Sequence, residues 1–191
     1  MAPLAHAPFR ILTAGATNVG RRRKHNEDVI LVRDDLHLYV VADGAGGHNA
    51  GEVAAALATR SICNFVGATV RKALQQPVYD RFSIATGGRR LAAAVRKANH
   101  DVLEIAQKQE RYRDMVATVV AAQLCPRAGL LHVAHVGDSR CYRLRNTVLE
   151  QLTQDHSVLV ELLEREPDLD DEVVAKMPQH MVTRALGSEE H

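Results

Sequence analysis

Cysteine is scarce in this chain. Cys63, Cys125 and Cys141 are odd in number and widely separated among 191 residues, which excludes both a disulfide framework and a CxxC metal knuckle and points to a reducing cytoplasm. A surplus of charge is missing too: 24 Lys and Arg against 23 Asp and Glu leave a formal net charge of +1. Nothing global draws such a chain to nucleic acid or to an anionic membrane. No apolar run approaches the length of a membrane span, and the stretch before Arg10 is too short for a signal peptide. Repeats, low-complexity tracts and flexible linkers are absent as well. With 46% apolar residues, what is left is one soluble domain over 10–191, preceded by a loose lead-in over 1–9.

What the chain does have is Leu38-Tyr-Val-Val-Ala-Asp-Gly-Ala-Gly-Gly-His48, an apolar run that stops on an aspartate and opens into glycines. Leu38 to Ala42 reads as a strand buried on both faces. Asp43 then lies where the strand releases its chain, a place that suits a ligand or metal better than a core.

Taken in order, 10–17 reads as a first strand. Val29–Val32 and Leu36–Ala42 read as a hairpin turning at Arg33-Asp34-Asp35. A helix is expected from Asn49 to about Lys72, a loop over Gln75–Gly88, and a second helix over Arg89–Tyr112. Val116–Leu124, Leu130–Val136, Cys141–Leu144 and Val148–Leu152 read as an antiparallel meander. Val158–Arg165 and Asp170–Met177 read as short helices, and together these elements fit an α+β sandwich.

Several familiar chemistries fail on the residues. The glycine loop lacks the last glycine of a dinucleotide fingerprint, no Walker lysine is present, and Ser139 lacks the second glycine of a nucleophile elbow. His132 and His135 are spaced to face opposite sides of a strand. What remains is a set of carboxylates at ends and turns: Glu27, Asp28, Asp43 and Asp138. Each alone reads as a cap or turn residue. Together they are hard oxygen donors with no soft sulfur set nearby, the chemistry of Mg²⁺ or Mn²⁺ rather than zinc. Arg23, four residues before Glu27, would face the same way on an extended chain and offer forked donors to a phosphate. The run Arg21–Lys24 reads equally as a solvated basic patch.

Five stretches carry a resemblance: Arg23-Lys-His-Asn-Glu-Asp28, Val41-Ala-Asp-Gly-Ala-Gly-Gly-His48, Ala134-His-Val-Gly-Asp-Ser-Arg140, Leu152-Thr-Gln-Asp-His-Ser157 and Val182-Thr-Arg-Ala-Leu-Gly187. In type and order they resemble the metal-dependent protein phosphatases of the 2C type, especially bacterial ones. The resemblance implies a four-layer αββα sandwich of two central antiparallel sheets with helices outside. It also implies a dinuclear Mg²⁺ or Mn²⁺ site at one edge that activates water against phosphoserine or phosphothreonine. On that pattern Asp43 bridges both metals and the Gly44 carbonyl binds one. Glu27 and Asp28 act largely through bound water, Asp138 matches a third and weaker metal position, and Arg23 clamps the phosphate. Because neighbouring strand residues face opposite ways, Asp28 is expected to need a bend to reach the site and ranks below Glu27. Partners would be phosphorylated Ser/Thr proteins and a cognate kinase in a signalling pair, the enzyme acting as a monomer in the cytoplasm.

Two departures from the pattern stand out. Ala45 replaces a side chain that similar enzymes fill with methionine or histidine, which removes any general acid from that position. The Ser-Asp-Gly turn and Asp-Asn pair that follow Thr-Arg-Ala-Leu-Gly in such enzymes are not found, so the reading at this level is a C-terminally truncated phosphatase needing the remainder for activity. The alternative is a pseudophosphatase that binds phosphoproteins or a regulatory partner without turnover.

Overall fold

The computed structural model describes residues 10–47, 50–70, 84–178 and 181–188. Strands β1 (Asp28–Arg33) and β2 (Leu38–Ala45) form a hairpin closed by a 3₁₀ turn over Asp34–Leu36, with His37 in the left-handed region at φ 49°. Two helices follow, α1 (Ala50–Val70) and α2 (Thr86–Lys108), and then strands β3 (Val116–Cys125) and β4 (Leu130–Val136). The four strands make one antiparallel sheet in the order β1-β2-β3-β4. A separate hairpin, β5 (Tyr142–Arg145) with β6 (Val148–Gln151), leads to α3 (Val158–Arg165) and α4 (Asp171–Lys176). Antiparallel sheets flanked by helices make the chain α+β.

Period-two burial sets the core. Leu38, Val40 and Ala42 of β2 and Ala117, Val119 and Ala121 of β3 are buried toward the helices. They meet Ala54, Ala55, Ala58, Ile62 and Val66 of α1, whose alanines let helix and sheet approach closely, and Leu91, Ala94, Val95, Ala98 and Val102 close the core from α2. At 21 residues α1 is long and apolar enough to cross a membrane, contrary to the expectation that no such segment exists, but its face is spent on this core.

Other expectations are corrected. β2 is not buried on both faces: Val41 is 41% exposed, because α1 and α2 pack on one side of the sheet only. Residues 10–17 form no strand. They lie along the other face, where Ile11–Ala16 line a groove with Ile30, Val32, Val41 and Val120 but donate nothing to a ladder. The meander breaks after β4, since β5 and β6 pair only with each other. α2 begins earlier than Arg89 because the Arg89 amide already bonds to the Ala85 carbonyl at 3.1 Å. It also stops earlier, and a 3₁₀ turn over Glu110–Tyr112 takes up its last residues. The expected loop over 75–88 lies mostly outside the described residues.

The tail returns to the sheet. Leu186, 1% exposed, exchanges both backbone bonds with Ala117 (2.8 and 3.0 Å), and the Gly187 amide donates to Asn99 Oδ1 at 2.8 Å. Leu186 thus takes the place beside β3 that β4 has just vacated.

Candidate metal centre

Antiparallel register puts Asp28, the first residue of β1, directly across from Asp43 on β2, and Asp43 across from Thr118 on β3. Directly opposed residues project from the same face of a sheet. The three side chains therefore form a row on the face away from α1. No bend is needed to bring Asp28 in. Glu27 and Asp28 do face opposite ways, as neighbouring strand residues should, but it is Asp28 that shares the face of Asp43.

Glu27 arrives from the other side. Its backbone carbonyl accepts the Gly44 amide at 3.1 Å, and its side chain, 18% exposed, is turned toward the first turn of α1. A Cβ on Gly51 would stand 2.5 Å from Glu27 Oε1 and 2.7 Å from the Gly44 carbonyl carbon, while a Cβ on Gly44 would overlap the Gly51 carbonyl. Two glycines thus let the end of β2 and the start of α1 touch backbone to backbone. The space beside them holds a carboxylate, which the amide-rich helix start favours electrostatically.

Asp138 is delivered by the turn after β4. Thr118 Oγ1 and Ser139 Oγ lie 2.7 Å apart, tying that turn to the strand that neighbours Asp43. Thr118 and Ser139 carry no role in the sequence reading. Register counted outward from Asp43 finds Thr118; Ser139 lies beyond the ladder and is reached only through its contact with Thr118.

Electrostatics report the convergence. Asp43 is pushed up to about 6, first by burial, then by the charge of Asp28 and a hydrogen bond with it, and then by the charges of Asp138 and Glu27. A hydrogen bond between two carboxyl groups requires a proton on one of them. Asp43 therefore lies closer to its acidic neighbours, Asp28 first among them, than its own charge readily tolerates. Among the described residues no three His, Cys, Asp or Glu side chains already converge on one coordination point. The donor set nonetheless fits a hard divalent ion: every candidate atom is an oxygen, and the Asp43 side chain is exposed at the end of β2.

Arg23 sits at the rim. Its Nη1 reaches Glu27 Oε2 at 3.4 Å, a long contact, and its side chain is 77% exposed. The two meet through the bend over residues 20–25 rather than along an extended strand. Most of the guanidinium donors face solvent.

The turn bearing Asp138 is strapped from outside. Arg140 grips Asp155 through three contacts of 2.6–3.0 Å, the Cys141 amide donates to Thr153 Oγ1 at 3.1 Å, and the Leu152 amide donates to the Cys141 carbonyl at 2.8 Å. The expectation that His132 and His135 face opposite sides holds. His132 lies against Gly87 of α2, and His135 stacks on His156.

Comparison with known proteins bears on this geometry. The Protein phosphatase 2C family matches residues 18–166. The serine/threonine phosphatase Stp of Listeria monocytogenes is 34% identical over 188 residues, covering 96% of this chain and 68% of its own length. Among solved structures, the PPM Ser-Thr phosphatase MsPP of Mycobacterium smegmatis, in complex with cacodylate, superposes with a TM-score of 0.70 at 33% identity over 92% of this chain and 67% of its own. The catalytic domain of PstP with two manganese ions gives 0.65 at 30% identity, over 88% of this chain and 63% of its own.

Proposed function

The chain belongs to the protein phosphatase 2C family of metal-dependent serine/threonine phosphatases, and on that premise we propose that the cluster around Asp43 is where it hydrolyses phosphoserine and phosphothreonine in proteins. One observation carries the assignment: Asp28 and Asp43 stand directly opposite each other on β1 and β2, and burial, then Asp28, then the charges of Asp138 and Glu27 raise the Asp43 carboxyl to about 6. Asp43, the Gly44 main chain, Glu27 and Asp28 would hold two divalent ions, Mg²⁺ or Mn²⁺, and Asp138 a third and weaker one. When bound, such ions supply a nucleophilic water at neutral pH and offset the charge on the phosphoryl oxygens.

The chain's own residues do the rest. Asp28 and Asp43, fixed by ladder pairing, keep their oxygens on one side of the sheet; Glu27 is held at the helix start by the glycine contact. Arg23, with donors free at the rim, receives and orients the substrate phosphate. Ala45, exposed at the end of β2, offers no proton to the leaving alcohol. Phosphorylated Ser/Thr proteins are the substrates and a cognate kinase the natural opposing partner. The enzyme works as a monomer in the cytoplasm, where the free Cys63, Cys125 and Cys141 would stay reduced.

The direct test is phosphate release from a phosphothreonine peptide by the purified protein. Turnover should require Mn²⁺ or Mg²⁺ and stop in excess chelator. Turnover that persists in chelator would overturn the metal assignment, and tight peptide binding without turnover would favour the pseudophosphatase reading. For the rim cation, Arg23→Ala is expected to raise KM about 10-fold, with Arg23→Lys recovering only part because an ammonium lacks the planar fork. An unchanged KM in both would remove Arg23 from the site.

A further inference from the structure

Asp138 needs a reason to be where it is. β4 ends at Val136, and Gly137 turns the chain at φ +99°, where no ladder partner remains to hold it. The turn is pressed so closely on β3 that a Cβ on Gly137 would stand 2.5 Å from Thr118 Cβ. On the far side of Asp138, Ser139 is tied to Thr118. On the near side the partner is His156, whose backbone amide donates to the Gly137 carbonyl at 3.0 Å while its ring Nδ1 lies 3.2 Å from the Gly137 amide nitrogen. The ring and main chain of one residue therefore take both polar groups of the glycine before Asp138.

We propose that His156 is a positioning residue for the metal centre: its unprotonated Nδ1, by accepting the Gly137 amide hydrogen, fixes the turn that presents Asp138 to the carboxylate cluster. An N–H can only be accepted by a bare ring nitrogen, so the imidazole is neutral with its hydrogen on Nε2. The surroundings maintain that state. His135 stacks on the ring with centroids 4.7 Å apart and planes 20° apart, and its own Nε2 lies 2.7 Å from the Gln154 carbonyl, an acceptor, so that nitrogen carries a hydrogen. Burial, then His135 and Arg184, hold His156 below the ordinary histidine range. Glu161 on α3 and Asp155, itself engaged by Arg140, pull the other way and are outweighed.

A histidine that only filled space would be replaceable by any ring or amide of similar bulk. A histidine needed for one lone pair would be replaceable by asparagine, whose Oδ1 falls near the place of Nδ1, and not by glutamine, whose amide reaches toward Nε2.

The proposal rests on Asp138 serving the metal centre, and the test separates the two claims. In the metal-free wild-type protein, nitrogen NMR should show His156 bare at Nδ1, and the Gly137 amide should exchange slowly with solvent. His156→Ala and His156→Gln should both expose that amide and raise the Mn²⁺ concentration for half-maximal phosphopeptide hydrolysis about 10-fold, the scale on which supporting residues of metal sites act. His156→Asn should restore amide protection and bring the Mn²⁺ requirement back to within about 3-fold of wild type. A protonated Nδ1 in the wild type overturns the proposal without any variant, so a variant that fails to fold cannot rescue it. Equal behaviour of the Asn and Ala variants overturns it too. If Asp138→Asn leaves the Mn²⁺ requirement unchanged while Gly137 protection follows the expected order, the proposal fails through Asp138 and not through the clasp.

Discussion

Asp43→Asn is expected to abolish phosphopeptide hydrolysis, by at least about 10³-fold, while raising the melting temperature of the metal-free protein at pH 7 by about 3 °C. Both effects come from the same crowding. Asparagine keeps the shape of the side chain but supplies only a neutral oxygen where the proposed site would use an anion. In the metal-free fold, however, Asp43 is a burden at neutral pH. Its carboxyl is held at about 6 by burial and by Asp28, Asp138 and Glu27, well above the ordinary aspartate range.

A carboxyl raised in the folded state binds its proton more tightly there than in the unfolded chain. Its contribution to stability is present at acid pH and is lost as pH rises from the ordinary aspartate range through about 6. Between pH 5 and pH 7 the metal-free wild type should therefore lose stability relative to the Asn variant, since the lowered His132 and His156 act alike in both. Thermal melts in chelator at the two pH values check both signs. A variant less stable than wild type at pH 7 would show that Asp43 is satisfied as it stands.

Gly51→Ala is expected to cost about 3 kcal/mol, at the upper end for forced overpacking, and to lower the melting temperature by roughly 10 °C. The added methyl would meet Glu27 Oε1 at 2.5 Å, the Gly44 carbonyl carbon at 2.7 Å and the Ala45 nitrogen at 2.8 Å. The carboxylate can swing away; the two backbone atoms cannot. Either the start of α1 lifts from the end of β2 or the strand end shifts, and Glu27, Asp43 and Gly44 lose their relation. Activity should fall with stability. Gly67→Ala, in the same helix, is the control: its nearest neighbour would be Leu36 Cδ1 at 3.6 Å, an ordinary contact, so the usual gain of about 0.5–1 kcal/mol for replacing a mid-helix glycine should appear. The same substitution at two positions of α1 should thus act with opposite signs. A harmless Gly51→Ala would mean that the strand–helix contact is not what holds Glu27.

Asp43 is legible in the sequence because a strand that ends on an acid before glycines is a local pattern. Asp28 is misjudged because its relation to Asp43 depends on register, and register is set by where β1 begins and where the hairpin turns, which no local pattern states. Thr118 and Ser139 are missed for the same reason: each matters only through a partner on another strand. The run over 10–17 has the composition of a strand and lies against the sheet, yet it makes no ladder, since strand propensity describes a fit to a half-buried surface rather than a pairing. The helices are legible because a 3.6-residue stripe is written within one segment. Their ends depend on single backbone bonds such as that from Arg89 to Ala85.

The pairing of Leu186 with Ala117 sets an order of events during synthesis. Ala117 adjoins Thr118, the strand residue opposite Asp43, and the two backbone bonds that complete that edge come from a residue emerging almost seventy positions later. Until then β3 has β2 along its length on one side and β4 only from Val119 onward on the other. Glu27, Asp28 and Asp43 are thus synthesised well before the residue whose two backbone bonds brace the strand beside them.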